Sequence, residues 1–292
     1  MPELVANDIT IHYDTHGDPT DPTVLLVMGL GAQMTLWDVD FVAELVGRGF
    51  HVVRFDNRDV GLSSKTDGPP PNVMAMFMAA LSGQAVTGSA YLLSDMADDA
   101  VAVLDHLGVD RAHIVGASMG GMIVQTMAID HPDRVASLTS IMSTTGEPGA
   151  GQAEGDTLMQ LMAPTPDDRE AAVSRSVKIS ELISGPHFDE ARSRSLAELN
   201  FDRCFHPIGV AHQMAAIIAS GDRTPKLAEL DVPTVVIHGE VDPLVTISGG
   251  EATAAAIPGA ELVRFAEMGH DMPPKLWPEI GDAIEGVARR AS

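Results

Sequence analysis

The sequence predicts an α/β fold: a mostly parallel sheet with helices on both faces, interrupted once by a helical insertion. Three observations predict it. Short, continuous apolar runs recur along the 292 residues and alternate with helical patterns, the rhythm of strands buried on both faces of a parallel sheet. From about 144 to 230 no such run occurs, and the pattern is helical. After 230 the strand-like runs resume.

The elements follow in order. Ile9-Thr10-Ile11-His12-Tyr13 alternates like an early antiparallel strand, and Asp18-Pro19-Thr20-Asp21-Pro22 supplies a turn. Val24-Leu25-Leu26-Val27-Met28 is the first strand apolar on both faces. Phe41-Val42-Ala43-Glu44-Leu45-Val46 reads as a helix ended by Gly47 and Gly49, and His51-Val52-Val53-Arg54-Phe55-Asp56 as the next strand. The Pro-rich loop Asp67-Gly68-Pro69-Pro70-Pro71 leads into Met74-Ala75-Met76-Phe77-Met78, expected to pack in the interior or to line a substrate entrance. Met96, Ala100, Val103, Leu104 and Leu107 form one helical stripe, with Asp95 as its expected cap and Gly108 as its stop. A strand over 112–117, a helix from 119, and the strand Ser137-Leu138-Thr139-Ser140-Ile141-Met142 precede the insertion. Pro233-Thr234-Val235-Val236-Ile237-His238 and Ala260-Glu261-Leu262-Val263-Arg264-Phe265 follow it. The expected organisation is a core of 1–143 and 231–292 with a helical cap over 144–230. In that cap Leu158, Met159, Leu161, Met162, Ile179, Leu182, Ile183 and Met214 suggest an apolar pocket, or the cap's own core.

Composition narrows the function. The chain is 45% hydrophobic, enough for a substantial core, and carries 18 Lys and Arg against 41 Asp and Glu, a net charge of −23. Such a surface disfavours nucleic acid and anionic membrane as partners, and neither is expected. Cys204 is the one cysteine, so no internal disulfide forms, and it is expected to be a buried thiol. Met1-Pro2-Glu3-Leu4 lacks a basic, apolar leader pattern, and no apolar run approaches the ~20 residues that span a bilayer, so a soluble cytoplasmic protein is expected. Metal-ligand spacings of the HExxH kind are absent, as are the P-loop lysine and the dinucleotide glycine spacing, so no metal or cofactor is expected.

The chemistry centres on Gly116-Ala117-Ser118-Met119-Gly120-Gly121. An apolar strand ends in Gly-x-Ser-x-Gly and a helix begins at once, which presents a serine on a sharp, exposed turn. A serine hydroxyl is a weak nucleophile unless a base takes its proton and a third group orients that base. In an open parallel sheet reactive groups collect at the carboxyl ends of strands. Asp242 lies on the loop after the 233–238 run and His270 on the loop after 260–265, so the order is Ser118, Asp242, His270. Glu240 sits nearer the strand end, and Asp271 is too close in sequence to orient its neighbour's ring. His238 lies inside a strand pattern and is expected to be buried. The two oxyanion amides should come from Met119 and from Leu30, in Gly29-Leu30-Gly31 after the first buried strand.

Together with Asp56-Asn57-Arg58-Asp59-Val60-Gly61-Leu62-Ser63, His131-Pro132-Asp133-Arg134-Val135, Asp242-Pro243 and Met268-Gly269-His270, this motif resembles the α/β-hydrolase superfamily. The stretches Val27-Met28-Gly29-Leu30-Gly31-Ala32 and Arg54-Phe55-Asp56-Asn57-Arg58-Asp59 are similar to its esterase branch, near aclacinomycin methylesterases and LipG-type esterase/lipases. The resemblance implies an eight-stranded sheet, a nucleophile at Ser118, an acid at Asp242, a base at His270 and oxyanion amides at Leu30 and Met119. It implies a serine esterase for small to medium, apolar carboxylic esters. Lactone, thioester or cofactor-free perhydrolysis on the same residues are the alternatives, with a non-catalytic ligand-binding member further off. Many members have His-Gly where this chain has Met28-Gly29, which makes the pocket floor more apolar. Epoxide hydrolases and dehalogenases of this fold carry Asp at the nucleophile position, so Ser118 points to acyl transfer. Monomer and homodimer are both compatible with the sequence.

Overall fold

The computed structural model describes residues 2–291. Eight strands form one sheet: β1 (Glu3–Ala6), β2 (Ile9–His16), β3 (Thr23–Val27), β4 (His51–Phe55), β5 (Ala112–Ala117), β6 (Val135–Ile141), β7 (Thr234–Gly239) and β8 (Glu261–Phe265), in the order β1-β2-β4-β3-β5-β6-β7-β8. The β1–β2 and β2–β4 pairs are antiparallel and all others parallel. The expected α/β architecture is therefore present, with β1 as a strand that the sequence reading did not mark.

Helices α1 (Val39–Gly47) and α11 (Trp277–Arg290) cover one face; α3 (Leu93–His106) and α4 (Met119–Asp130) cover the other. The pleat explains the division. Val24 and Leu26 of β3 point to Trp37, Phe41, Leu45 and Ile280, while Leu25 and Val27 point to Met96, Leu104 and Ile123. Each such buried Leu, Ile or Val stabilises by ~1.5–3 kcal/mol relative to exposure. Asp38 caps α1, its carboxylate accepting from Asp40 N at 2.8 Å. In α11 the buried Ile280, Ile284 and Val287 form the inward stripe, and Arg289 and Arg290 stand in the last turn, where cations oppose the helix dipole.

Two local expectations are corrected. Asp95 is not the cap of α3: Leu92 holds that position, and Asp95 sits three residues inside, its carboxylate accepting from Leu92 N at 2.7 Å. The Met-rich segment forms α2 (Val73–Leu81), yet only Met76 is buried; Met74, Phe77, Met78 and Leu81 face solvent. A pattern apolar all round reads as interior, but this short helix rests on its neighbours by one side only.

Between β6 and β7 lie five helices and no strand among the described residues: α5 (Thr157–Met162), α6 (Arg169–Ile183), α7 (Glu190–Arg203), α8 (Ile208–Ser220) and α9 (Thr224–Leu227); α10 (Ile247–Ala256) joins β7 to β8. Ala216 of α8 and Leu227 of α9 join the α3–α4 side of the core. Leu158 and Met159 of α5 are exposed. Among the described residues no helix is long and apolar enough to cross a membrane.

Candidate active site

Ser118 stands between β5 and α4 at φ +57°, a left-handed conformation that costs a non-glycine residue about 1–3 kcal/mol. The surroundings hold it there. Its N–H donates to Ile141 O on β6 at 2.9 Å, and its carbonyl accepts from Ser143 Oγ at 2.8 Å. The turn requires glycine on both sides. A Cβ on Gly116 would lie 2.1 Å from Gly120 O, and one on Gly120 would lie 2.0 Å from Val27 O.

The serine hydroxyl is 2.9 Å from His270 Nε2, and His270 Nδ1 is 2.7 Å from Asp242 Oδ2. Asp242 is buried, and its other oxygen accepts from Leu244 N and Val245 N, both at 2.9 Å. An acceptor so committed makes Nδ1 the protonated ring nitrogen and leaves Nε2 to accept the serine proton. The competitors fall elsewhere. Glu240 is exposed, while Asp271 accepts from Gly269 N at 3.1 Å and Gly185 N at 3.4 Å. Burial pushes the Asp271 carboxyl above its ordinary range. His238 is fully buried, and its ring donates from Nε2 to Val245 O at 2.7 Å, supporting the loop that carries Asp242. Burial holds this imidazole below its ordinary value, and hence neutral.

The 28–32 loop lies directly against the serine: a Cβ on Gly29 would come within 3.0 Å of Ser118 Cβ. Neither the Leu30 amide nor the Met119 amide donates a hydrogen bond within the described chain. The Gly31 amide is already engaged, donating to Gln213 Oε1 at 2.7 Å. Two free donors beside a serine–histidine pair are what a developing oxyanion requires. Met28 is turned into the core, and its carbonyl accepts from Asn57 Nδ2 at 2.9 Å.

Sequence reasoning missed the contacts that the inserted helices make with His270 and, elsewhere, with Gln33 and Asp56 of the core. His270 N donates to Ile183 O, at the end of α6, at 2.7 Å. Arg203, the last residue of α7, donates to Gln33 Oε1 at 2.7 Å and to the buried Asp56 at 2.6 Å, while Gln33 Nε2 donates to Asn200 O and Cys204 O. Cys204 is half-buried there, contrary to the expected buried thiol. No local pattern marks these residues, because their partners lie more than 80 positions away. Among the described residues no group of three or more metal-ligating side chains converges.

A family model described as alpha/beta hydrolase fold matches residues 22–273. Over 314 aligned positions the chain is 29% identical to rhodomycin D methylesterase DnrP of Streptomyces peucetius, covering 99% of this chain and 98% of that protein. It is 27% identical to 3-oxoadipate enol-lactonase 2 of Acinetobacter baylyi, over 98% and 96% of the two chains. In structure it is similar to an esterase from Exiguobacterium antarcticum, at TM-score 0.76 and 20% identity over 98% of each chain, which speaks for the fold.

Proposed function

The chain belongs to the α/β-hydrolase fold family, and from that membership we propose that it hydrolyses carboxylic esters through Ser118, His270 and Asp242. The observation that carries the reading is the unbroken relay from Ser118 Oγ to His270 Nε2 at 2.9 Å and from His270 Nδ1 to Asp242 at 2.7 Å. Similarity to a methylesterase over nearly the full length supports the same reaction.

In this mechanism Ser118 Oγ attacks the ester carbonyl carbon while its proton passes to His270 Nε2. Asp242 faces the imidazolium that forms. The Leu30 and Met119 amides receive the oxyanion, each donor contributing about 3 kcal/mol to the transition state. Collapse expels the alcohol, which takes the proton from His270. Water then attacks the acyl-enzyme, gives its proton to His270, and the second collapse releases the carboxylic acid and restores Ser118. Residues 144–230 act as a cap over this cleft and set the acyl and alcohol selectivity, on small to medium apolar substrates.

The similarity to an enol-lactonase favours one second reading, since a lactone is a cyclic ester that the same residues would open. A fluorophosphonate probe should label the wild type and not Ser118→Ala, and p-nitrophenyl esters should be cleaved by the wild type but not by His270→Ala. A panel of linear esters against matched lactones separates the two readings. A folded wild type that takes up no probe and cleaves no ester refutes both.

A further inference from the structure

One buried side chain holds the 29–32 loop from the side of the inserted helices. Gln213, on α8, has no solvent exposure. Its Oε1 accepts from Gly31 N at 2.7 Å, and its Nε2 donates to Arg58 O at 2.8 Å. Oxygen faces a donor and nitrogen an acceptor, so the amide has one satisfied orientation. Gly31 sits at φ +66°, and a Cβ there would be 2.8 Å from Cγ2 of Val210, one turn earlier on α8. On the other side Gly29 lies against Ser118. Leu30, with its free amide, is therefore clamped between α8 and the serine.

We propose that Gln213 is a positioning residue for the hydrolysis: by holding the Gly31 amide it sets the Leu30 amide at the oxyanion, which makes α8 part of the catalytic apparatus. The inference rests on the esterase reading above. It follows from magnitudes. An oxyanion donor is worth ~10²–10³ in kcat, and a displacement of about 1 Å is enough to cost ~10². A group that fixes such a donor acts on the transition state and hardly on the bound ester.

Gln213→Met keeps the length of the side chain and removes both hydrogen bonds; Gln213→Ala removes the side chain. Asn200→Leu is the control, since it breaks a different link to the core, the bond from Thr35 Oγ1 to Asn200 Oδ1, without touching Gly31. Rates are taken per site titrated to completion with a fluorophosphonate. The expected result for Gln213→Met is a kcat lower by about 10–100-fold, a KM within about twofold, and a trifluoromethyl ketone inhibitor weakened by the same factor as kcat. Asn200→Leu should change none of these.

The proposal is overturned by a raised KM with kcat intact, by unchanged kcat and inhibitor affinity, or by an equal loss in Asn200→Leu. It is also overturned if both Gln213 variants fail to fold, which would make Gln213 a prop of the fold and not of the loop. A wild type that no fluorophosphonate labels refutes the ester reading instead.

Discussion

Asp242 divides its two oxygens between two tasks, and that division makes a sharp prediction. One oxygen accepts from Leu244 N and Val245 N, the other from the His270 ring. In Asp242→Asn the two amides still demand an oxygen, so the carboxamide nitrogen must face His270. A donor there forces Nδ1 to accept and moves the ring proton to Nε2, where it blocks removal of the Ser118 proton. The expected outcome is a loss of ~10³–10⁴ in kcat with KM little changed, measured on a p-nitrophenyl ester. Retention of more than a tenth of the activity would contradict the tautomer argument. The three side chains of this relay were legible in the sequence for one reason: each follows the end of a recognisable strand, where a parallel sheet gathers reactive groups. Gln213 was not, because nothing near it in the chain records that Gly31, 182 positions away, supplies its donor.

At the scale of elements, the end of α6 and the 269–271 turn are joined by Asp271 and by the bond from His270 N to Ile183 O. Burial raises the Asp271 carboxyl above its unfolded value of 3.8 in spite of two backbone donors. The sign follows from proton counting. Where the folded chain holds this proton and the unfolded chain has lost it, stability falls as pH rises, from 3.8 through the raised folded value. Asp271→Asn keeps an oxygen for Gly269 N and Gly185 N and removes the ionisation. It should therefore melt higher than the wild type at pH 7, with the gap closing below pH 4. Calorimetry at the two pH values checks this; a variant less stable at both would show that the carboxylate itself is needed. The activity of Asp271→Asn should stay near that of the wild type, since Asp242 is the carboxylate that meets the His270 ring. Elements of this kind were partly legible. The sequence marks 144–230 as helical, but where its helices begin and which loops they press on is decided by long-range packing that composition does not carry. Helix α2 makes the converse point: its apolar pattern is plain, and it still faces solvent.

At the scale of the whole molecule, the alternation of doubly buried runs and helices made the sheet legible, because a strand covered on both faces leaves no room for polar positions. Its order, with β4 outside β3, was not, since local pattern does not state which neighbour a strand pairs with. Two global terms then compete in the pH dependence. The net charge of −23 repels itself, and this cost shrinks as carboxylates protonate on acidification. Against it, burial holds His51, His113, His206 and His238 below their ordinary value of 6.5, so the folded chain keeps them neutral while the unfolded chain binds protons. With more protons on the unfolded state, the histidine contribution is present above pH 6.5 and is lost as pH falls through the lower folded values. Salt separates the two terms, because at ~1 M the screening length is ~3 Å and only the repulsion between exposed charges is removed. Added NaCl should therefore raise Tm most at pH 8, where the net charge is greatest, and less at pH 5.5. At high salt the histidine term is left in control, and Tm should fall between pH 7 and pH 5.5. His238→Asn, which removes the deepest of the four, should flatten that fall while lowering Tm at pH 7 through the lost bond to Val245 O. A Tm that rises on acidification at high salt would show that the buried imidazoles do not govern this range.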